Sequence, residues 1–382
     1  MGAGGPACGP SRKPSDVAVP KGTAAVGRGA ILRRGQRQGL AVAPPPCEAE
    51  TPLARSLIRE SPLTSAKLAA ALASQITGQV PVAVTRFATG SSHYVYEAAF
   101  TDGATIVLRI GGRTAHAEIA GAVTLSQLLR PRGVPLPRLL DHDSGADFPW
   151  MALERLPGTD LGDVVNGFSD AQLDAIARRV ADAQAIVAAD GPASRFGYAV
   201  RAQDAPHETW TQVLQAHLDR STRRIASAGL FDRALADGIR EALDSRRGET
   251  DAVAATPFLH DTTTKNVIVT PTGDFLGIVD VDDLCFGDPR YAPALTMAAL
   301  IAHGGPTRYV DLWLAHAGQA ADEVFGLYVG LFLLDLMSEH GQVFNGNERA
   351  SSAKERARLT AALAERVKGL PGTGQDARKG TR

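Results

Sequence analysis

The stretch 258–289, FLHDTTTKNVIVTPTGDFLGIVDVDDLCFGDP, gathers oxygen-bearing side chains at short spacing. Its apolar runs 266–270 and 275–281 flank a Pro-Thr-Gly-Asp turn, which predicts a β-hairpin led by a polar loop. Hairpin strands run side by side, so Asn266 at the start of one and Asp280 at the end of the other come close, with Asp261 on the loop above. Two carboxylates and an amide oxygen are hard donors that suit Mg²⁺, an ion that keeps several waters and takes one or two carboxylates together with substrate phosphates. A carboxylate left free beside that ion is placed to accept a proton from an attacking hydroxyl. The chemistry so described is phosphoryl transfer.

The order His260-Asp261, Asn266, Ile278-Val279-Asp280 and Gly287-Asp288-Pro289 resembles the catalytic segment of the aminoglycoside phosphotransferase and choline kinase superfamily. The match departs from the family's His-Gly-Asp, since Leu259 and His260 stand in the first two places, and Tyr291 is followed by Ala292 where an acidic residue is frequent. The resemblance implies a protein-kinase-like fold in which Asp261 is the catalytic base and Asn266 and Asp280 hold Mg²⁺. Lys265, one residue before Asn266, stands where a cation would reach the transferring phosphoryl group.

Further positions fall in the order that the resemblance requires. The small-residue turn 88–92, with Gly90 and Ser91, is where nucleotide phosphates would approach the backbone. Arg109, in the run Ile106-Val107-Leu108-Arg109-Ile110, matches the phosphate-binding cation of the third strand, and Glu118 matches the helix glutamate that would pair with it. The run ending in Glu154-Arg155-Leu156-Pro157-Gly158 resembles the hinge between lobes, where backbone groups of Ala152, Leu153 and Glu154 would meet adenine. His93 and His260 read as structural, and Asp282 and Asp283 as anchors of the metal-site loop.

Those residues need a frame. A helix closing at Gly78 precedes three antiparallel strands, 82–87, 93–100 and 105–110; a helix over 114–130 capped by Thr114 follows, then strands 138–141 and 149–156. Beyond Gly158 the pattern turns helical: a Ser169/Gln172 capping box opens one helix, others are expected near 207–228, 231–245, 291–302, 307–316, 321–340 and 351–367, and the hairpin interrupts them. The expected class is α+β, a bilobal protein-kinase-like fold with a small antiparallel-sheet N-lobe and a larger, mostly helical C-lobe. The expected division is a disordered basic tail over 1–50, an N-lobe over 51–157, a C-lobe over 158–370 and a flexible tail over 371–382.

Composition narrows the partners. A chain of 382 residues with 44% hydrophobic content can bury a large core, and a net charge of −1 offers no global field for nucleic acid or membrane. Cys8, Cys47 and Cys285 form neither an even disulfide framework nor a CxxC pair, which fits a reducing cytoplasm, and Cys285 reads as a small buried side chain. The apolar run 324–337, broken by Asp335, reads as a core helix rather than a membrane span.

The expected activity is transfer of the γ-phosphoryl group of ATP, or GTP, to a small-molecule hydroxyl; the competing class is a nucleotide-binding pseudokinase without turnover. The resemblance spans acceptors as different as aminoglycosides, macrolides, choline, homoserine and sugar amines. Asp335, Glu339 and Glu348 are candidates for holding a cationic acceptor, the first two on one helical face. The oligomeric state is left open.

Overall fold

The computed structural model describes residues 66–87, 93–344, 347–348 and 351–369. The tails expected over 1–50 and 371–382, the turn 88–92 with Gly90 and Ser91, and the side chain of Glu348 lie outside the described residues.

The N-terminal region consists of α1 (Ala66–Thr77), β1 (Ala83–Arg86), β2 (Tyr94–Ala99), β3 (Thr105–Ile110), α2 (His116–Leu129), β4 (Leu139–Asp143) and β5 (Trp150–Glu154). Its strands form one antiparallel sheet in the order β1-β2-β3-β5-β4. The alternation of β3 decides what each face does. Ile106, Leu108 and Ile110 point to the side where Leu72 of α1, Tyr96 and Trp150 close a core. Val107 and Arg109 point the other way, where Ile119 and Ala122 of α2 pack on Met151 and Leu153. Arg109 is therefore carried to the α2 side by strand periodicity alone. Thr114 does not cap α2: the helix starts at His116, and Ala115 at its N-cap offers no side-chain acceptor.

The C-terminal region runs through β6 (Thr159–Asp160), α3 (Leu161–Val164), α4 (Asp170–Ala188), β7 (Gly197–Ala199), α5 (Trp210–Ala228), α6 (Leu235–Ser245), α7 (Arg247–Asp251), β8 (Thr256–Phe258), β9 (Val267–Val269), β10 (Phe275–Ile278), β11 (Leu284–Gly287), α8 (Tyr291–His303), α9 (Arg308–Ala317), α10 (Glu323–Ser338), β12 (Val343–Phe344), β13 (Asn347–Glu348) and α11 (Ala353–Lys368). Helix α10 is apolar on every side from Val324 to Leu334 and is accordingly buried, with α5, α6, α8 and α11 around it. Capping boxes open α4, α5 and α11, at Ser169/Gln172, Thr209/Gln212 and Ser352/Glu355.

Two small sheets carry the loops of interest. The hairpin β9–β10 forms as the sequence suggests and adds β6, while β11 lies between β7 and β8. Among the described residues, no helix is long and apolar enough to cross a membrane.

Candidate active site

The loop 259–266 leaves β8 and is held from below by one side chain of α4. The amide of Gln184, 9% exposed, accepts from the Leu259 backbone N–H at 2.9 Å and donates to the Leu259 carbonyl at 2.8 Å and the Thr262 hydroxyl at 3.2 Å. Gly162 donates its N–H to the Thr264 carbonyl at 2.9 Å, which fixes the other side of the loop. On that base Asp261 is half-buried and accepts from the Thr263 hydroxyl at 2.9 Å through Oδ1.

Asn266 ties the loop to the returning strand. Its Nδ2 donates to the Asp261 carbonyl at 3.0 Å, and its own carbonyl accepts from Val279 N–H at 2.9 Å. Because the carbonyl partner fixes which end of the amide is nitrogen, Oδ1 of Asn266 remains as an acceptor. Asp280 follows directly and has φ +65°, the one non-glycine residue among those described in the left-handed region. That conformation costs on the order of 1–2 kcal/mol for an ordinary residue and is best tolerated by Asn and Asp. It turns the chain out of β10.

The turn brings two carboxylates onto Arg109. The guanidinium, only 5% exposed, has Nη2 at 2.7 Å from Oδ1 of both Asp280 and Asp282 and at 2.9 Å from Nδ1 of His93. Burial disfavours the arginine cation, and Asp282 and Asp280 more than restore it. Burial first and Arg109 second push the His93 imidazole below its ordinary value, so Nδ1 is an acceptor here. Beside them, Nδ1 of His260 stands 3.0 Å from Oδ1 of Asp283, with its ring edge-on to Tyr198 at 4.9 Å. Burial opposes the imidazolium, and Asp283 overcomes this and raises the His260 pKa.

A family model described as the phosphotransferase enzyme family matches residues 83–328, most of the described chain. The chain belongs to that family. A search of curated protein sequences found no match. Among solved structures, a thermostable mutant of aminoglycoside phosphotransferase APH(4)-Ia in ternary complex with ADP and hygromycin B is similar with a TM-score of 0.55 and 16% identity, over 80% of this chain and 99% of that one. The GDP and kanamycin complex of APH(2")-IIia gives 0.55 and 16% over 78% and 97%. A candidate fructosamine-3-kinase from Thermobifida fusca YX-ER1 gives 0.51 and 17% over 78% and 98%. At such identities the likeness establishes the protein-kinase-like fold, with its sheet-rich and helical lobes.

Within the phosphotransferase fold, four placements differ from those the sequence suggests. Glu118 is exposed on the first turn of α2 and does not pair with Arg109, whose ion pairs go to Asp280 and Asp282. Helix α2 nevertheless abuts the same loop: a Cβ on Gly121 would lie 3.1 Å from the Asp282 carbonyl. Ala152, Leu153 and Glu154 lie in a strand flanked by β3 and β4, where Ala152 and Leu153 are paired on both sides and the Glu154 N–H bonds to the Arg138 carbonyl at 2.9 Å. The linker that leaves the ladder begins at Arg155, which pairs with Glu97 at 2.8 Å. Lys265 is exposed, and its charge acts on Asp160 of β6, whose carboxyl burial and Asp163 raise. Asp335, far from presenting a free charge, is held by Ser221 at 2.7 Å and Arg220 at 3.3 Å.

Two functional elements escaped the sequence reading. Gln184 carried a signal, because it is a polar residue on the apolar stripe of Ile176, Val180 and Val187. The strand β11 carried little: its four residues, all buried, follow three aspartates and look like loop. A cleft of about 450 Å³ lies between Glu97 and Thr105 of the sheet, the linker at 157–159 and Pro271, apart from Asp261 and Asp280.

Proposed function

We propose that the protein is a kinase that transfers the γ-phosphoryl group of ATP to a hydroxyl of a small molecule. The observation that carries this reading is the stitching of Asp261, Asn266 and the residue before Asp280 by two hydrogen bonds of 3.0 and 2.9 Å, directly beneath Arg109. Asp261 is the general base: one oxygen is occupied by Thr263, and the other is left to take the proton of the acceptor hydroxyl. Arg109 supplies the cation for the nucleotide phosphates, releasing Asp280 and Asp282 as it does so.

Among the described residues no group of three or more His, Cys, Asp or Glu forms a metal cage. A site of one amide oxygen, from Asn266, and one carboxylate, from Asp280, fits Mg²⁺, which completes its shell with water and phosphate oxygens. Asn266 and Asp280 would hold it, and the ion would neutralise charge on the phosphates. Family neighbours solved with ADP, AMP-PNP and GDP support nucleotide use. The base is received where β5 passes into the linker from Arg155 onward, and exposed Lys265 is the second cation for the transferring group.

The test is ATP consumption with Mg²⁺ across a panel of hydroxyl acceptors, with GTP as a second donor. Acceptor-dependent ADP release is expected. Nucleotide binding without turnover for any acceptor would replace this reading with a binding module.

A further inference from the structure

The ladder between β8 and β11 leads into the active site. Cys285 is paired with Phe258, and counting on from that register sets Leu259 against Leu284 and His260 against Asp283. Backbone pairing stops short of them, because Gln184 takes both the N–H and the carbonyl of Leu259. A side-chain pair continues it: His260 Nδ1 stands 3.0 Å from Asp283 Oδ1, and both atoms are buried with no other partner among the described residues. Tyr198, paired with Cys285 from the other side of β11, backs the imidazole edge-on at 4.9 Å.

This contact closes a frame. On one side the Asn266 carbonyl accepts from Val279 N–H at 2.9 Å, and on the other His260 meets Asp283. Asp261 lies between 260 and 266, and Asp280 between 279 and 283, so two ties bracket the base and the metal ligand. Gln184 fixes the Asp261 loop to α4 and makes no hydrogen bond to 280–283 among the described residues. The neighbouring Asp282 turns the other way, its oxygens 2.7 and 2.9 Å from Arg109 Nη2. Adjacent carboxylates thus serve opposite sides, Asp282 the cation of the sheet and Asp283 the loop of the base.

We propose that His260 is a positioning residue for phosphoryl transfer: through Asp283 it sets the spacing between Asp261 and Asp280, and hence between the acceptor hydroxyl and the γ-phosphoryl group. This rests on the kinase reading above. Loss of the pair leaves Arg109 and the linker in place to bind nucleotide while the base is misplaced, and a misplacement of about 1 Å costs on the order of 10²-fold in rate.

ADP release from the full chain with ATP, Mg²⁺ and the best of kanamycin, choline, homoserine and glycerol as acceptor tests it, beside the thermal shift produced by ADP with Mg²⁺. His260→Leu and Asp283→Ala should each lower kcat roughly ten- to hundredfold, with the ATP KM and the thermal shift nearly unchanged. The double variant should lose no more than the worse single one, because both changes remove the same contact. His260→Asn, whose Nδ2 takes the place of Nδ1, should restore most of kcat. If His260→Leu fails to fold, the same comparison is made between Asp283→Ala and the isosteric Asp283→Asn, which keeps an oxygen toward Nδ1. Wild-type kcat in the single variants, losses that multiply in the double variant, or no recovery in the isosteric one overturns the inference and leaves the kinase reading standing. An ATP KM that rises in step with the fall in kcat does the same, since it marks general damage to the site. No ATP turnover by the wild type with any acceptor overturns both.

Discussion

A carboxylate can serve as a base, a metal ligand or a structural anion, and the partners of each aspartate separate these roles. Asp261 keeps one oxygen unengaged, Asp280 meets Arg109 from a left-handed backbone, and Asp335 is spent within its own cluster. The last has a measurable consequence. Its folded pKa lies below the unfolded value of 3.8, so the stability it contributes is present above that value and lost as pH falls through it toward the folded pKa. Urea midpoints of the wild type should therefore decline more steeply than those of Asp335→Asn between about pH 5 and pH 2, while at pH 7 the variant should be less stable by about 3 kcal/mol. Equal pH slopes would show that the cluster contributes no linkage. At this scale the sequence revealed residue types better than pairings. The spacing of Asp261, Asn266 and Asp280 was legible because hairpin geometry converts spacing into proximity, whereas the partners of Arg109 depend on a backbone turn at Asp280 that no periodicity encodes.

Elements hold these residues through close approaches that only glycine permits. At Gly158 a Cβ would fall 2.4 Å from the Val269 carbonyl and 2.7 Å from Leu276 Cδ1, so the linker between lobes lies directly on the β9–β10 hairpin. Gly158→Ala is expected to destabilise the protein by about 1–3 kcal/mol, read by chemical denaturation, and to raise the ATP KM as the linker shifts. An unchanged denaturation midpoint would mean that the hairpin yields freely. Long amphipathic helices and the five-stranded sheet were readable from period alone: Leu173, Ile176 and Val180 mark α4, and Ile106, Leu108 and Ile110 mark β3. The three-residue strands β7 and β8 were not, since so short a run holds too few alternations to show a period. Their strandedness comes from pairing with β11, a tertiary cause.

At the scale of the molecule, the sheet-rich and helical lobes meet where buried Arg109 faces Asp280 and Asp282. A nucleotide that binds there binds only the folded chain, so ADP with Mg²⁺ at a hundred times its Kd should stabilise the protein by about 2.7 kcal/mol, seen as a raised thermal midpoint. The increment should shrink in Arg109→Met. An undiminished increment in that variant would place the phosphates elsewhere. The central claim, that Asp261 and Asp280 serve one phosphoryl-transfer centre, is tested most directly by acceptor-dependent ADP release from wild type, Asp261→Asn and Asp280→Asn at matched folded concentration. Both variants should lose about 10²–10⁴-fold in kcat while keeping the wild-type circular dichroism. Wild-type turnover in both folded variants would contradict the account.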